Sequence, residues 1–279
     1  MEIKRTSEIG FCYGVRRALK IVERALGEGK KVATLGPVVH NNKVVGELLG
    51  RGVEIISDPK EVEGRAVVIT AHGSPPFTLE ELARRGIEII DATCPVVRRA
   101  QIIARNLAEE GFEVLIFGEE DHTEVRGLMG WARGRGLAAL SIPPPERLGR
   151  KIGVIAQTTQ DPDKFAQFAA DLCRLFLPDK LHIRICNTIC PEVTRRLREA
   201  EKIAREVEMM LVVGGKISAN TRRLASLCSR YVETFHIEGA WEIPEKAFGC
   251  RAIGLTSGTS TPAELVEEVE RRLREEGRS

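Results

Sequence analysis

Short apolar runs alternate with amphipathic stretches along the whole chain, and the alternation comes round three times. Runs such as VATL (32–35), AVVI (66–69), VLIF (114–117) and MLVV (210–213) are rich in β-branched residues and too short for helices. They predict buried strands. In the first unit the pattern predicts a helix over 16–28, a strand over 32–35, a helix over 43–51 and a strand over 53–56. After a turn at Asp58-Pro59 come a strand over 66–70, a helix over 79–85 and a strand over 87–90. The second unit predicts helices over 97–110, 124–132 and 163–176, with strands over 114–117, 137–141, 152–156 and 181–185. The third predicts helices over 193–207, 221–229 and 263–275, with strands over 210–213, 231–235 and 252–256. It lacks a closing strand, and the segment 2–4 can supply one. Strands alternating with helices through short connections imply parallel sheets and right-handed crossovers.

The repeat keeps its register to the residue. The same sequence distance separates Cys12 from His40, Cys94 from His122 and Cys190 from Ser218, and a glycine recurs between them at Gly36, Gly118 and Gly214. The fold class expected is α/β: three similar domains with small parallel sheets, arranged as a pseudo-threefold trefoil. Their bounds are 13–93, 94–186, and 187–279 joined by 1–12. A single doubly wound domain is the alternative, and the matching offsets speak against it.

Composition narrows the function. A chain of 279 residues with 43% hydrophobic and 29% charged residues is that of an ordinary globular protein. No apolar run approaches the roughly 18 residues of a membrane span. The opening MEIKRTSEIGFCYG has no apolar core of a secretory signal, so a cytoplasmic location is expected. A net charge of +2 without a basic stripe argues against nucleic acid. Seven cysteines, none in a CxxC pair, point away from disulfides, zinc ribbons and ferredoxin-type runs. These thiols are expected to be free, catalytic or metal-bound.

Only three of them recur in register. Cys94 and Cys190 each precede a proline and then helical sequence, the arrangement of a helix start, and Cys12 takes the same place before Tyr13-Gly14. The positive end of a helix dipole favours the thiolate that metals require. Soft thiolates select zinc or iron–sulfur clusters, and three without a fourth suggest a cluster with one iron open to chemistry. Cys173, Cys228 and Cys250 read as small core residues. Cys186 has no counterpart in the other units and ranks below Cys190.

Two loops per unit follow parallel strands, where ligands bind. Loops 37–42, 119–124 and 216–220 bring His40, His122 and Ser218 into register, then Asn42, Glu124 and Asn220. Loops 70–76, 156–162 and 256–262 align on Pro76, Pro162 and Pro262, which brings Ser74, Gln160 and Ser260 together. Small hydroxyls and backbone N–H groups at helix starts bind phosphate. Three such loops suit a diphosphate. Glu124 is the lone carboxylate at its repeat position, and a carboxyl beside a cluster and a bound anion suits a proton donor.

At this point the chain resembles the 4-hydroxy-3-methylbut-2-enyl diphosphate reductase family (IspH/LytB). The resemblance rests on GFCYGVRRA (10–18), VVHNNKVV (38–45), TAHGSP (70–75), DATCPVV (91–97), HTEVRGLMG (122–130), AQTT (156–159), NTIC (187–190), GGKISANTRRL (214–224) and TSGTSTP (256–262). It implies a trefoil of three α/β domains about a [4Fe–4S] cluster held by Cys12, Cys94 and Cys190, one iron lacking a protein ligand. It implies a diphosphate pocket of His40, His72, His122, Ser218, Ala219, Asn220 and Ser260. Glu124 would be the proton donor and Thr158 its partner near the substrate hydroxyl. The implied reaction is a two-electron reductive dehydration yielding isopentenyl and dimethylallyl diphosphate, in the non-mevalonate route to isoprenoids. The electrons would come from a one-electron donor such as ferredoxin or flavodoxin. Three departures stand out. Ala219 replaces a common serine, so its contact can be only through backbone. The loop Glu119-Glu120-Asp121 is unusually acidic. Pro-Glu-Val follows Cys190 where Ala-Thr is common. A non-redox [4Fe–4S] hydro-lyase, and an iron–sulfur sensor or anion-binding module, are the rival readings.

Overall fold

The computed structural model describes residues 1–39, 41–179 and 182–277. In chain order these form β1 (Glu2–Arg5), α1 (Tyr13–Gly27), β2 (Val32–Leu35), α2 (Asn42–Gly50), β3 (Glu54–Ile56), β4 (Ala66–Ile69), α3 (Pro76–Arg84) and β5 (Ile89–Asp91). There follow α4 (Pro95–Glu109), β6 (Glu113–Phe117), α5 (Thr123–Trp131), β7 (Gly136–Ala139), β8 (Lys151–Ala156), α6 (Pro162–Phe176) and β9 (His182–Ile185). The last stretch holds α7 (Pro191–Ala204), β10 (Met209–Val213), α8 (Ala219–Cys228), β11 (Thr234–Ile237), β12 (Ala252–Ser257) and α9 (Ala263–Glu276).

The strands make three parallel four-stranded sheets with one topology: β3-β2-β4-β5, β7-β6-β8-β9 and β11-β10-β12-β1. The predicted α/β class with small parallel sheets is therefore what the chain adopts. In the third sheet β1 takes the place that β5 and β9 hold in the others, pairing Glu2 with Ala252 through Arg5 with Leu255. The N-terminal segment closes that sheet as its missing strand. Burial follows position. All of β4 (AVVI) and β10 (MMLVV) is buried, while the edge strands β9 (HIRI) and β1 (EIKR) are half-exposed and polar. Central parallel strands are covered on both faces, so both sets of alternate residues must be apolar.

The chain divides into two compact units. The first comprises Met1–Arg16, Val39–Leu48 and Pro191–Ser279, and the second Arg17–Val38 and Leu49–Cys190. The first unit carries the third sheet. Its core sets Met209, Leu211 and Val213 of β10 against Leu265, Val266, Val269 and Leu273 of α9. The second unit carries the other two sheets. Alternate residues of β6 feed separate cores: Val114 and Ile116 pack with Leu107, Val125 and Leu128, and Leu115 and Phe117 with Phe165, Phe168 and Leu172. That split is the period of two along a strand. Each such fully buried aliphatic or aromatic side chain contributes about 1.5–3 kcal/mol relative to exposure.

Element ends differ from expectation where caps and turns decide them. The helix expected over 16–28 begins at Tyr13, directly after Cys12, and the one expected over 79–85 begins at Pro76. Proline's fixed φ suits a first helical turn. The strand expected over 231–235 lies at Thr234–Ile237 because Tyr231 and Val232 turn back to bond the Cys228 carbonyl. Of the strand expected over 181–185, Leu181 lies outside the described residues. No helix among the described residues is long and apolar enough to cross a membrane.

Candidate active site

Each of the three recurring thiols stands between the edge strand of a sheet and the helix that follows it. Cys12 follows β1 and precedes α1, Cys94 follows β5 and precedes α4, and Cys190 follows β9 and precedes α7. All three therefore sit at carboxyl ends of parallel strands, the usual ligand side of such sheets. Their backbones are held alike. The N–H of Cys12 donates to the Thr259 carbonyl at 2.9 Å, that of Cys94 to Ala71 at 3.0 Å and that of Cys190 to Thr158 at 2.8 Å. The acceptors occupy one structural position, two residues beyond the ends of β12, β4 and β8.

Local sequence explains the approach to two of the thiols. Three residues before Cys94, Asp91 accepts from the Thr93 N–H at 2.9 Å; three before Cys190, Asn187 accepts from the Ile189 N–H at 3.0 Å. These are Asx turns, which redirect the chain out of the strand. Burial opposes the charge of Asp91. The Thr93 hydroxyl and N–H and the Arg98 guanidinium outweigh it and hold the carboxyl below its ordinary value. In the first unit Cys12 caps its own helix, its Sγ accepting from the Val15 N–H at 3.4 Å.

Of the remaining cysteines, Cys228 is buried as expected of a core residue, while Cys173, Cys186 and Cys250 are half-buried. Burial pushes the Cys228 thiol up to about 12 and raises those of Cys186 and Cys250. Cys186 packs against the core beneath α4 and α5. A raised thiol holds its proton and is a poor ligand. No three His, Cys, Asp or Glu among the described residues gather to hold a single metal ion. Each recurring thiol is a soft donor at a helix start, the ligand type that iron–sulfur clusters take.

Glu124 lies in the first turn of α5 and is 1% exposed. Its two oxygens accept from one residue: the Thr158 N–H at 2.6 Å and the Thr158 hydroxyl at 2.9 Å. Such double satisfaction is what allows a carboxyl to be buried. The N-cap of α5 is His122, whose Nδ1 accepts from the Glu124 N–H at 3.2 Å. That bond assigns the ring proton to Nε2. His72 meets His122 edge to face, ring centres 5.8 Å apart, with its Nδ1 3.4 Å from the Thr70 hydroxyl. The loop that presents His72 turns at Gly73, φ +75°, where a Cβ would stand 2.2 Å from Gln101 Nε2. Only glycine fits that left-handed, crowded position. Of the acidic loop, the Asp121 side chain is fully exposed and pairs with Arg126 at 3.1 Å.

In the other unit Ser218 is the N-cap of α8, accepting from the Thr221 N–H at 3.3 Å. Its hydroxyl keeps a proton to donate. Ala219 is the first residue of that helix and offers only backbone. Asn220 donates through Nδ2 to the Thr259 hydroxyl at 3.2 Å. Among the described residues the buried hydroxyl of Ser260 has no hydrogen-bond partner, and neither has that of Ser74 at the matching place in its loop. A buried hydroxyl without a partner costs about 1–3 kcal/mol, so an anion accepting from it recovers that cost. His40 lies outside the described residues.

Sequence reasoning overlooked Thr259 and Gln157. Thr259 is to Asn220 what Thr158 is to Glu124, and counting from strand ends rather than from the loop prolines would have aligned them. Gln157, fully buried, accepts from the Glu119 N–H at 3.2 Å and so supports the acidic loop from beneath.

Comparison with known proteins agrees over the whole length. The family model described as LytB protein matches residues 3–274. A 4-hydroxy-3-methylbut-2-enyl diphosphate reductase of Dehalococcoides mccartyi is 42% identical over 96% of this chain and 96% of its own. The protein of the same name from Geobacter sulfurreducens is 39% identical, over 99% and 98%. The solved structure of (E)-4-hydroxy-3-methyl-but-2-enyl diphosphate reductase, the terminal enzyme of the non-mevalonate pathway, is 35% identical with a TM-score of 0.72, covering 99% of this chain and 100% of that one. That of the Plasmodium falciparum E-1-hydroxy-2-methyl-but-2-enyl-4-diphosphate reductase is 26% identical with a TM-score of 0.89, covering 97% and 87%. The chain belongs to the LytB family of 4-hydroxy-3-methylbut-2-enyl diphosphate reductases.

Proposed function

We propose that this protein reduces 4-hydroxy-3-methylbut-2-enyl diphosphate to isopentenyl and dimethylallyl diphosphate. Two electrons and two protons enter, and the allylic hydroxyl leaves as water. Cys12, Cys94 and Cys190 hold a [4Fe–4S] cluster with one iron lacking a protein ligand, and the three lobes 13–93, 94–186 and 187–279 with 1–12 contribute one thiolate each. When bound, that cluster supplies the electrons singly and an open iron site; a donor such as ferredoxin or flavodoxin refills it.

The protein's own residues bind the anion and move the proton. The hydroxyls of Ser218 and Ser260, the Asn220 amide, the Ala219 N–H and the Nε2–H groups of His122 and His72 donate to the diphosphate, with His40 as a further donor. Few of these carry formal charge, so binding relies on many oriented dipoles. Glu124, once protonated from solvent, donates to the Thr158 hydroxyl, which turns to pass its own proton to the departing oxygen. A hydroxyl serves there because it accepts from one side while donating to the other.

The observation that carries this reading is the Glu124–Thr158 pair at 2.6 and 2.9 Å. Thr158 holds the buried acid with its N–H and hydroxyl and bonds the Cys190 N–H with its carbonyl. The test is anaerobic turnover of the allylic diphosphate with a chemical one-electron reductant. Release of both C5 diphosphates with two electrons consumed per product is expected. Turnover without electrons would favour a hydro-lyase, and no turnover a sensor or binding module; either would end the proposal.

A further inference from the structure

Arg196 on α7 has a side chain only 3% exposed. Its Nη2 donates to Glu192 Oε1 at 3.0 Å and its Nη1 to the Ser257 carbonyl at 3.4 Å. Its Nε lies 3.9 Å from Glu8 Oε2, but Glu8 is already engaged through its other oxygen by Arg195 at 2.8 Å. Glu192 is therefore the principal counter-charge of Arg196. The second oxygen of Glu192 accepts the N–H of Tyr13 at 3.1 Å.

Tyr13 is the residue after Cys12 and the first of α1. The first turn of a helix presents N–H groups with no partner inside the helix. Glu192 takes the first of these, and the Cys12 sulfur takes that of Val15 at 3.4 Å. The orientation of the thiol and the position of the carboxylate are thus two parts of one cap. Glu192 also lies in the first turn of α7, the helix that starts directly after Cys190. One carboxylate fastens the helix behind one thiol to the helix behind another.

We propose that Glu192 and Arg196 are positioning residues for Cys12: they hold the cap that aims its sulfur, and their balanced charges set the potential felt by a cluster bound there. The proposal rests on the reading of Cys12 as a cluster ligand. Groups around the ligands of a metal centre tune it through hydrogen bonds and local charge. Reduction adds negative charge, so a neighbouring cation left without its anion favours the reduced form. Charge acts strongly at such a site because burial limits screening.

The test uses the full-length protein, purified anaerobically with its cluster. Glu192→Gln keeps an oxygen to accept the Tyr13 N–H but removes the charge, and Glu192→Ala removes both. Glu206→Gln, which breaks an exposed pair with Lys4, is the control. Iron content, midpoint potential by spectroscopic titration, and the rate of iron release to a chelator are measured. The expected result is wild-type iron content and a more positive midpoint in Glu192→Gln. In Glu192→Ala iron release becomes several-fold faster, and the control behaves as wild type. A wild-type cluster with an unmoved midpoint in Glu192→Gln and unchanged release in Glu192→Ala would overturn this proposal alone. A wild-type protein that assembles no cluster would overturn it together with the reading it rests on.

Discussion

Thr158 gives Glu124 two donors, the N–H at 2.6 Å and the hydroxyl at 2.9 Å. The same link recurs in the third sheet, where Thr259 takes the Asn220 amide at 3.2 Å. Behind each threonine its carbonyl accepts the N–H of a cysteine, Cys190 in one case and Cys12 in the other. The repeat thus conserves a wire from helix start to strand-end loop to thiol. It changes the chemistry at the far end, an acid in one copy and an amide in another. After β4, in the sheet β3-β2-β4-β5, Ala71 holds the threonine's place, so the link there lacks a hydroxyl.

The acid end makes the sharpest prediction. Glu124→Gln is isosteric, and its amide oxygen still accepts from the Thr158 N–H, so folding is expected to be undisturbed. Loss of the proton donor should lower kcat about 10²–10⁴-fold. Thr158→Val removes the hydroxyl that donates to the buried carboxylate, a bond of about 1–3 kcal/mol to a charged group, and should lose both rate and thermal stability. Steady-state kinetics and melting curves distinguish them. Near wild-type turnover in Glu124→Gln would remove Glu124 from the proton path.

The thiols separate by iron content. Cys94→Ser should purify without a full cluster, because a serine hydroxyl at this position is a harder and far less acidic ligand. Cys228→Ala should bind iron as the wild type does, since that thiol is buried in the fold and held protonated by burial. Iron and sulfide assays on anaerobically purified protein give the answer. A full cluster in Cys94→Ser would end its assignment as a ligand.

Much of this was legible because the repeat is written in sequence. The Cys12, Cys94 and Cys190 offsets exposed the threefold repeat, and the missing third-unit strand located β1. What stayed hidden has a physical cause in each case. Helix starts at Tyr13 and Pro76 depend on caps and on proline's tolerance in a first turn, which apolar periodicity does not register. The Thr259 link was masked because aligning loops by their prolines absorbs one-residue differences in loop length between strand and helix. The role of Glu192 depends on the backbone of Tyr13, far away in sequence, and no local pattern carries such a bond.

Thr259 yields a prediction of its own. Thr259→Val removes the hydroxyl that fixes the Asn220 amide but leaves the carbonyl that bonds Cys12. The cluster should be retained. The amide loses a bond of about 0.5–1.5 kcal/mol, which corresponds to a rise in KM of up to about tenfold with kcat nearly unchanged. A fall in kcat at constant KM would mean that Thr259 serves the chemical step instead.

The loop carrying Ser218 and Asn220 is anchored through His236, and this makes it sensitive to acid. His236 Nε2 lies 2.9 Å from the Gly214 carbonyl, and the Lys216 N–H beyond it donates to Glu238 at 2.8 Å. Burial lowers the His236 pKa most, and Lys216 adds to this. The Gly214 bond and the charges of Glu238 and Glu242 oppose the shift without cancelling it. A histidine depressed in the folded state binds its proton more readily when unfolded, where its pKa is about 6.5. Its contribution is therefore present in full above that value and is lost as pH falls below it toward the folded pKa. Glu242, held below its ordinary value by Lys216, acts in a separate window, losing stability only as pH falls below about 4.5. Between pH 7.5 and 5.5 the wild type should lose more thermal stability than His236→Gln, whose amide still donates to Gly214 but does not titrate. Parallel losses in the two proteins would show that acid acts elsewhere in the fold.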